Sequence, residues 1–202
     1  MMEFFISTGN AHKISEFKAI LEPYGIALKS PKDLDISVDV EENGTTFAEN
    51  ALIKAQYGYK VTGLPTIADD SGLSIEALNG EPGIYSARYA GENAADADKI
   101  NKVLKNMLGK QNRKAKFVCA IAFVDGNNRF CVQGECHGEI LDCPCGENGF
   151  GYDPIFRPDG FSKSFAQLTP EEKNGISHRG RALKAFTEEI NKIVKETEND
   201  NK

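Results

Sequence analysis

Five groups of polar residues in this sequence have types and spacings that could do chemistry. The first is Ser7-Thr8-Gly9-Asn10-Ala11-His12-Lys13, between a short apolar run and a helical pattern. A strand-to-helix turn points backbone N–H groups and the positive end of the helix dipole outward, which suits a phosphate. Lys13 sharpens this reading, because a cation in a first helical turn opposes the dipole by about 0.3–1 kcal/mol unless an anion joins it. The spacing is not that of a Walker A loop, and a plain surface lysine fits this segment, taken alone, at least as well. The second group is acidic: Glu41-Glu42 and Asp69-Asp70. Hard cations such as Mg²⁺ take one or two carboxylates plus water and phosphate oxygens. Solvated surface also accounts for Glu41-Glu42. Asp69-Asp70, beside apolar Ile67-Ala68, needs partners, and adjacent strand residues point to opposite sides.

The third group is Gly149-Phe150-Gly151-Tyr152-Asp153-Pro154. Its glycines allow close backbone approach and its rings offer a flat face to a base; a tight turn with core aromatics is the other reading. The fourth is Lys173 with Ser177-His178-Arg179-Gly180-Arg181. Ser177 can cap the last helix, which puts basic residues at its positive end, where a solvated helix favours Asp or Glu. An anionic ligand explains that placement. The fifth is Cys131, Cys136, His137, Cys143 and Cys145. Their spacings lack the paired knuckles of structural zinc sites, so ordinary reduced thiols are expected.

The elements that must position these groups are legible from periodicity. Phe4-Phe5-Ile6 reads as a buried strand, followed by a helix with Ile14, Phe17, Ile20 and Leu21 on one face and Pro23 and Gly25 at its end. Ile26 to Leu28 and Ile36 to Val40 read as strands. Thr46-Phe47-Ala48-Glu49 is a capping box that opens a helix to about Val61. Thr66 to Ala68 and Leu73 to Leu78 read as strands flanking a polar Asp69–Gly72 segment. A helix is expected from about 94 to 108, a hairpin from Phe117 to Val124 and Phe130 to Cys136, and a short strand from Pro154 to Phe156. Thr169-Pro170 opens a short helix, and a last helix runs from about 178 to 195. Alternation of strands and helices makes the class α/β with a mixed sheet.

Composition excludes several function classes. The 202 residues suit one domain or a two-lobed one. A hydrophobic fraction of 40% with 27% charged residues is ordinary for a folded chain. Lys+Arg 24 against Asp+Glu 30 leaves −6, which argues against a body held on a nucleic acid polymer or an anionic membrane by general charge. No apolar run reaches the ~18 residues of a spanning helix. The N-terminal residues lack a basic region, so no leader peptide is expected. The five cysteines are read as reduced thiols of a cytoplasmic protein.

Taken in order, four segments form a pattern. They are Thr8-Gly9-Asn10-x-x-Lys13; Glu41-x-x-Gly44-x-Thr46-Phe47-x-Glu49-Asn50-Ala51 with Lys54-Ala55; Ala68-Asp69-Asp70-Ser71-Gly72-Leu73 with Gly80-x-Pro82-Gly83-x-Tyr85-Ser86-Ala87-Arg88; and Phe150-Gly151-Tyr152-Asp153-Pro154, closing with Lys173-Asn174-x-x-Ser177-His178-Arg179. The set resembles the inosine triphosphate pyrophosphatase family, also called XTP/dITP diphosphatases, from about residue 5 to 190. The resemblance implies hydrolysis of ITP, dITP and XTP to monophosphate and pyrophosphate, Mg²⁺, and a homodimer. It also implies an elongated two-lobed α/β domain around a long mixed sheet; the polar stretch 196–202 reads as a frayed tail, which leaves 1–195 as the domain. By position, Thr8, Gly9, Asn10, Ala11, His12 and Lys13 would hold the triphosphate. Glu41 would be the metal-linked acid, and Asp70 both a metal ligand and the proton acceptor. Ser71 would contact substrate, and Phe150, Gly151, Tyr152, Asp153, Lys173, His178 and Arg179 would form the base and phosphate pocket.

With no Ser–His pair in view, direct attack of water oriented by Asp70 is simpler than a covalent intermediate. Three further expectations follow. Phe150 stacks on the base, Arg179 and Asp153 read its 6-oxo and N1–H edge, and loss of Lys13 slightly stabilises the free protein. The competing readings are a pyrophosphatase of modified pyrimidine triphosphates, a nucleotide sensor without turnover, and a cysteine-based zinc module.

Overall fold

A computed structural model describes residues 2–38 and 40–200, with the side chains of 194–200 not described. The chain begins with β1 (Met2–Ile6) and α1 (Ala11–Leu21). Asn10 starts α1: its side-chain oxygen accepts from His12 N at 3.0 Å and Lys13 N at 3.2 Å, the usual service of an Asn cap to free first-turn N–H groups. Gly25, at φ 73, turns the chain into β2 (Ile26–Lys29). α2 (Phe47–Thr62) is capped by Thr46, which accepts from Glu49 N at 3.1 Å. The Glu49 carboxylate goes to Thr45 instead, at 2.6 Å from its N, so only half of the expected capping box forms. There follow β3 (Thr66–Ile75), α3 (Asp96–Asn106), β4 (Lys114–Val124), β5 (Arg129–Ile140), β6 (Phe156–Pro158), α4 (Pro170–Ile176) and α5 (His178–Asp200).

The sheet has six strands in the order β2-β1-β3-β4-β5-β6. β1 pairs in parallel with both β2 and β3, and the remaining pairs are antiparallel. The chain therefore leaves β1 in one direction through α1 and returns on its other side through α2. A strand with neighbours approached from opposite sides leaves a crevice at its carboxyl end, the usual ligand position in such sheets. The crevice is widened by register. β1 meets β3 only at Phe5↔Thr66 and Ile6↔Ile67. Farther along the same edge, Leu73 N donates to Ser86 Oγ at 3.0 Å and Ile75 N to Glu81 O at 3.2 Å. Between these contacts, residues 69–72 of β3 face an opening.

Buried side chains gather in three clusters among the described residues. Ile67, Cys119, Ile121 and Phe123 pack with α1 and α5 on one face of the sheet. Ala68, Ala120 and Ala122 pack with α2 on the other. A third cluster, with Leu73, Phe117, Val103 and Phe156, surrounds α3 and the far end of the hairpin. β4 and β5 run through more than one of these cores. Small residues let the helices approach closely. A Cβ at Gly134 would lie 2.3 Å from His178 O and 2.4 Å from Ala182 N, so this glycine seats the first turn of α5 on β5.

The structure departs from the sequence-based expectations in five places. Asp69–Gly72 is not a break between strands: β3 is continuous, with Asp69 opposite Ile121 and Asp70 opposite Ala120. Polar turn-like residues are tolerated there because each side chain has partners on its own side of the sheet. Ile36–Val40 forms no strand among its described residues. A 3₁₀ turn at Pro31–Leu34 and left-handed Asp35 lead it off the edge of β2. Pro154–Ile155 belongs to a 3₁₀ turn, and the strand starts at Phe156. Glu76–Leu78 is likewise a 3₁₀ turn rather than strand. α5 continues to Asp200, through most of the expected polar tail, and residues 201–202 lie outside the described residues.

Gly134→Ala is expected to cost about 1–3 kcal/mol, the usual effect of overpacking. Urea unfolding measures this, and an unchanged midpoint would refute the close seating of α5.

Candidate active site

The crevice beside β3 is a pocket of about 470 Å³. Of the substrate, metal and catalytic residues that the resemblance assigns by position, all but Ala11 and Glu41 line it. Glu41 lies on the adjoining cleft with Glu42, Arg88 and Lys99. β3 brings two carboxylates to the opening from opposite faces of one strand, and their surroundings differ.

On the α1 and α5 face, Asp69 is 1% exposed. Its Oδ2 lies 2.9 Å from Lys13 Nζ and 3.5 Å from Arg179 Nη2. Burial alone would raise its pKa, but Lys13, Arg179 and Lys54 outweigh burial and hold it well below the usual carboxylate range. Arg179 also donates to Ser71 Oγ at 3.0 Å and pairs with Glu16. Glu16 in turn takes Lys173 at 3.1 Å, and Lys173 reaches Asp153 at 2.8 Å. The result is one chain of alternating charge: Asp153, Lys173, Glu16, Arg179, Asp69, Lys13. A buried charge without a partner is costly, and here each charge has an opposite neighbour. This corrects the picture of Lys13 as an unpaired cation awaiting phosphate.

On the α2 face, Asp70 accepts from Asn50 Nδ2 at 3.2 Å and lies 3.4 Å from Lys54 Nζ. Lys54 also meets Glu42 at 3.2 Å. Burial raises the Asp70 pKa, and Glu42 adds to this against the pull of Lys54. The two carboxylates share a single ammonium, so this trio carries a net negative charge. It is Glu42, not Glu41, that the fold brings to Lys54. The Lys54 pKa rises even though burial lowers it, because Asp70, Asp69 and Glu42 surround it.

The glycine-rich loop forms the opposite wall. Phe150 N donates to Asp153 Oδ2 at 2.9 Å. The Phe150 ring stacks on His12 at 5.1 Å between centroids, with Lys173 Nζ 4.8 Å from its centre. Tyr152 turns its hydroxyl to Ser86 O at 2.8 Å. His178, capped into α5 by Ser177 Oγ (3.1 Å from Gly180 N), stacks on Phe117 at 4.7 Å. Burial, then Arg179 and Lys173, push the His178 pKa well below its ordinary value, so its ring is neutral. The expectation of a cationic pair His178-Arg179 is thus half right: only Arg179 carries charge. Asp153 and both terminal nitrogens of Arg179 are already engaged by protein groups. Four buried polar atoms have no partner among the described residues: Ser7 Oγ, Asp69 Oδ1, His178 Nδ1 and Arg179 Nε. Ser7, His178 and Arg179 line the pocket, and Asp69 lies buried behind it.

Lys54, Glu42, Glu16, Asn50 and Asp96 were given no individual role by sequence reasoning. Lys54 and Asn50 lie four residues apart on α2, which puts both on one helical face, so their proximity to each other was discoverable. Their proximity to Asp70 was not. No group of three His, Cys, Asp or Glu suited to a metal occurs among the described residues, and all five thiols are free. Burial pushes Cys119 up to about 12 and Cys136 up to about 11.

Comparison with known proteins gives a consistent result. Residues 4–189 match the Ham1 family. The chain is 47% identical over 186 residues to a dITP/XTP pyrophosphatase of Treponema denticola, covering 90% of this chain and 95% of that protein. It is 48% identical over 198 residues to one from Thermoanaerobacter pseudethanolicus, covering 96% and 100%. Among solved structures, a HAM1 protein from Coxiella burnetii superposes with a TM-score of 0.87 at 42% identity, over 95% of this chain and all of that one. The Staphylococcus aureus Ham1 protein gives 0.85 at 43%, over 94% and 98%.

Two expectations follow from the electrostatics. Lys13→Ala should destabilise the free protein by about 1–3 kcal/mol, because Asp69 loses its nearest cation and keeps the more distant Arg179 and the Ser71 hydroxyl; a stabilised variant in urea unfolding would refute the charge chain. The second concerns pH. Below about pH 6.5 the unfolded chain binds a proton at His178 that the folded chain does not, so stability falls as pH falls. The slope from this one group approaches about 1.4 kcal/mol per pH unit. His178→Phe should therefore show a flatter fall between pH 7 and 5, and an unchanged slope would contradict a neutral His178.

Proposed function

This chain belongs to the Ham1 family, and on that premise we propose that it hydrolyses deaminated purine nucleoside triphosphates (XTP, dITP and ITP) to the nucleoside monophosphate and pyrophosphate. The observation that carries the reading is the division of labour between Asp69 and Asp70. Asp69 is fully buried and tied to two cations. Asp70 lines the pocket with its pKa raised, the direction that makes a carboxylate a better proton acceptor. Lys13 and Lys54 stand near the two carboxylates as fixed positive charge for the triphosphate. Asp70 takes the proton of the water that attacks phosphorus, with Asn50 and Lys54 fixing its orientation.

The donor set also fits Mg²⁺. Asp70 and Glu42 already converge on one cation, Lys54, and leave a net negative charge. Two hard oxygen donors are what Mg²⁺ takes from a protein when substrate phosphates complete its shell. Asp70 and Glu42 would hold it, with Glu41 on the adjoining cleft, and the ion when bound would offset charge on the phosphates. A homodimer, by family resemblance, and a cytoplasmic site of action, by the reduced cysteines, complete the proposal.

Selection of the base falls to groups that the protein leaves unpaired. Asp153 meets Lys173 and Phe150 N through Oδ2, which leaves Oδ1 to accept the N1–H of a 6-oxo purine. Arg179 retains its Nε–H, a donor that suits a 6-oxo group and opposes a 6-amino donor. Rejection of an unmatched partner at such a site can reach ~10⁴. Phe150 supplies affinity by stacking, in exchange for its contact with His12.

The test is pyrophosphate release with Mg²⁺ from XTP, dITP, GTP, ATP and TTP. XTP and dITP should far exceed ATP and TTP; equal turnover of ATP would refute the base selection. Asp70→Asn should keep nucleotide binding and lose about 10²–10⁴-fold in kcat. Arg179→Lys keeps the charge and removes the Nε–H, so it should narrow the preference over ATP.

A further inference from the structure

The loop carrying Phe150 and Tyr152 must be held against the pocket, and one of the groups that holds it comes from an element 55 residues away. α3 begins after Ala95, a cap residue with no side chain to accept from the free N–H groups of its first turn. Asp or Ser would be favoured at that position. The carboxylate stands one residue later, at Asp96, and reaches across to the loop. Its Oδ2 accepts from Gly151 N at 2.6 Å, and its Oδ1 pairs with Lys99 at 2.6 Å. Gly151 sits at φ 61, with open space where a Cβ would be, so no side chain packs it in place. Its flanking residues are tied elsewhere, Phe150 N to Asp153 and the Tyr152 hydroxyl to Ser86 O. The amide between them is fixed by Asp96. Asp96 and Lys99 both line the pocket.

We propose that Asp96 is a positioning residue for nucleobase recognition: it latches Gly151 to the start of α3 and so sets the Phe150 ring at the pocket wall. The proposal rests on reading this pocket as a nucleotide site. Lys13 and Lys54, which face the phosphates in that reading, lie on α1 and α2 rather than on the latched loop. Loss of the latch should therefore weaken recognition of the base and spare recognition of the triphosphate. A mere helix-capping role for Asp96 would not make that distinction.

The experiment compares wild type, Asp96→Ala, Asp96→Asn, and Asp96→Ala combined with Ala95→Ser, which restores a cap to α3 without the latch. Hydrogen exchange at Gly149–Asp153 in the ligand-free protein should quicken about tenfold in both variants carrying Asp96→Ala and stay near wild type in Asp96→Asn, which keeps an acceptor. In turnover, KM for XTP should rise about tenfold in the same two variants with kcat within about threefold, while inhibition by inorganic tripolyphosphate is unchanged. Unaltered exchange at this loop would overturn the proposal. So would rescue of both readouts by Ala95→Ser, or an equal loss of tripolyphosphate binding. If wild type releases no pyrophosphate from any nucleotide, the functional reading fails, and the exchange measurement still decides the latch.

Discussion

The structure depends on holding six charged groups, four of them buried, in one connected line. Asp153, Lys173, Glu16, Arg179, Asp69 and Lys13 alternate in sign, and each touches a neighbour of opposite charge. Removing any one leaves its neighbours under-compensated in a medium where that is expensive. The line also sets geometry, because its members come from the glycine-rich loop, α4, α1, α5 and β3. Elements far apart in sequence are thereby brought to one pocket and held at fixed spacing. The internal neutrality of the line has a further effect. It leaves the Asp70, Lys54 and Glu42 trio, on the other face, as the place where charge is out of balance.

That asymmetry follows from the sheet. β1 ends at Ile6 while β3 runs on, so residues 69–72 meet an opening instead of a neighbouring strand. Side chains of a strand alternate between faces, and at an open edge both faces reach the same cavity. A pair of adjacent aspartates can then do two unlike tasks: one anchors cations, and the other keeps a raised pKa beside the ligand space. In the middle of a fully paired sheet the two would be separated by the sheet itself.

The pocket's other wall is built differently. The Gly149–Asp153 loop puts one side chain, Tyr152, into the core, and is otherwise fixed by hydrogen bonds with α3, the Ser86 turn and its own Asp153 and by the Lys173–Asp153 pair. A wall held by a handful of polar contacts can adjust to a ring entering beside Phe150 more cheaply than a packed helix can. The phosphate side, built on helix starts and the charge line, lacks that freedom.

Much of this was present in the sequence. Apolar periodicity located β1, α1, α2, the β4–β5 hairpin and α5, because a buried stripe has the period of its own element. Local chemistry marked the caps at Thr46, Thr169 and Ser177, and the ordered motifs marked the family and most of the residues that line the pocket. What the sequence left open depends on partners distant along the chain. Asp69–Gly72 has the composition of a turn, and only pairing with β4 makes it a strand. Glu41 and Glu42 are adjacent, and only the path of the chain after β2 decides which of them meets Lys54. Lys13 and Arg179 look like cations awaiting an anion until Asp69 and Glu16 are seen beside them, and His178 looks titratable until its burial is known. Local sequence carries propensity and period, whereas charge pairing and desolvation belong to neighbours that only the tertiary fold brings together.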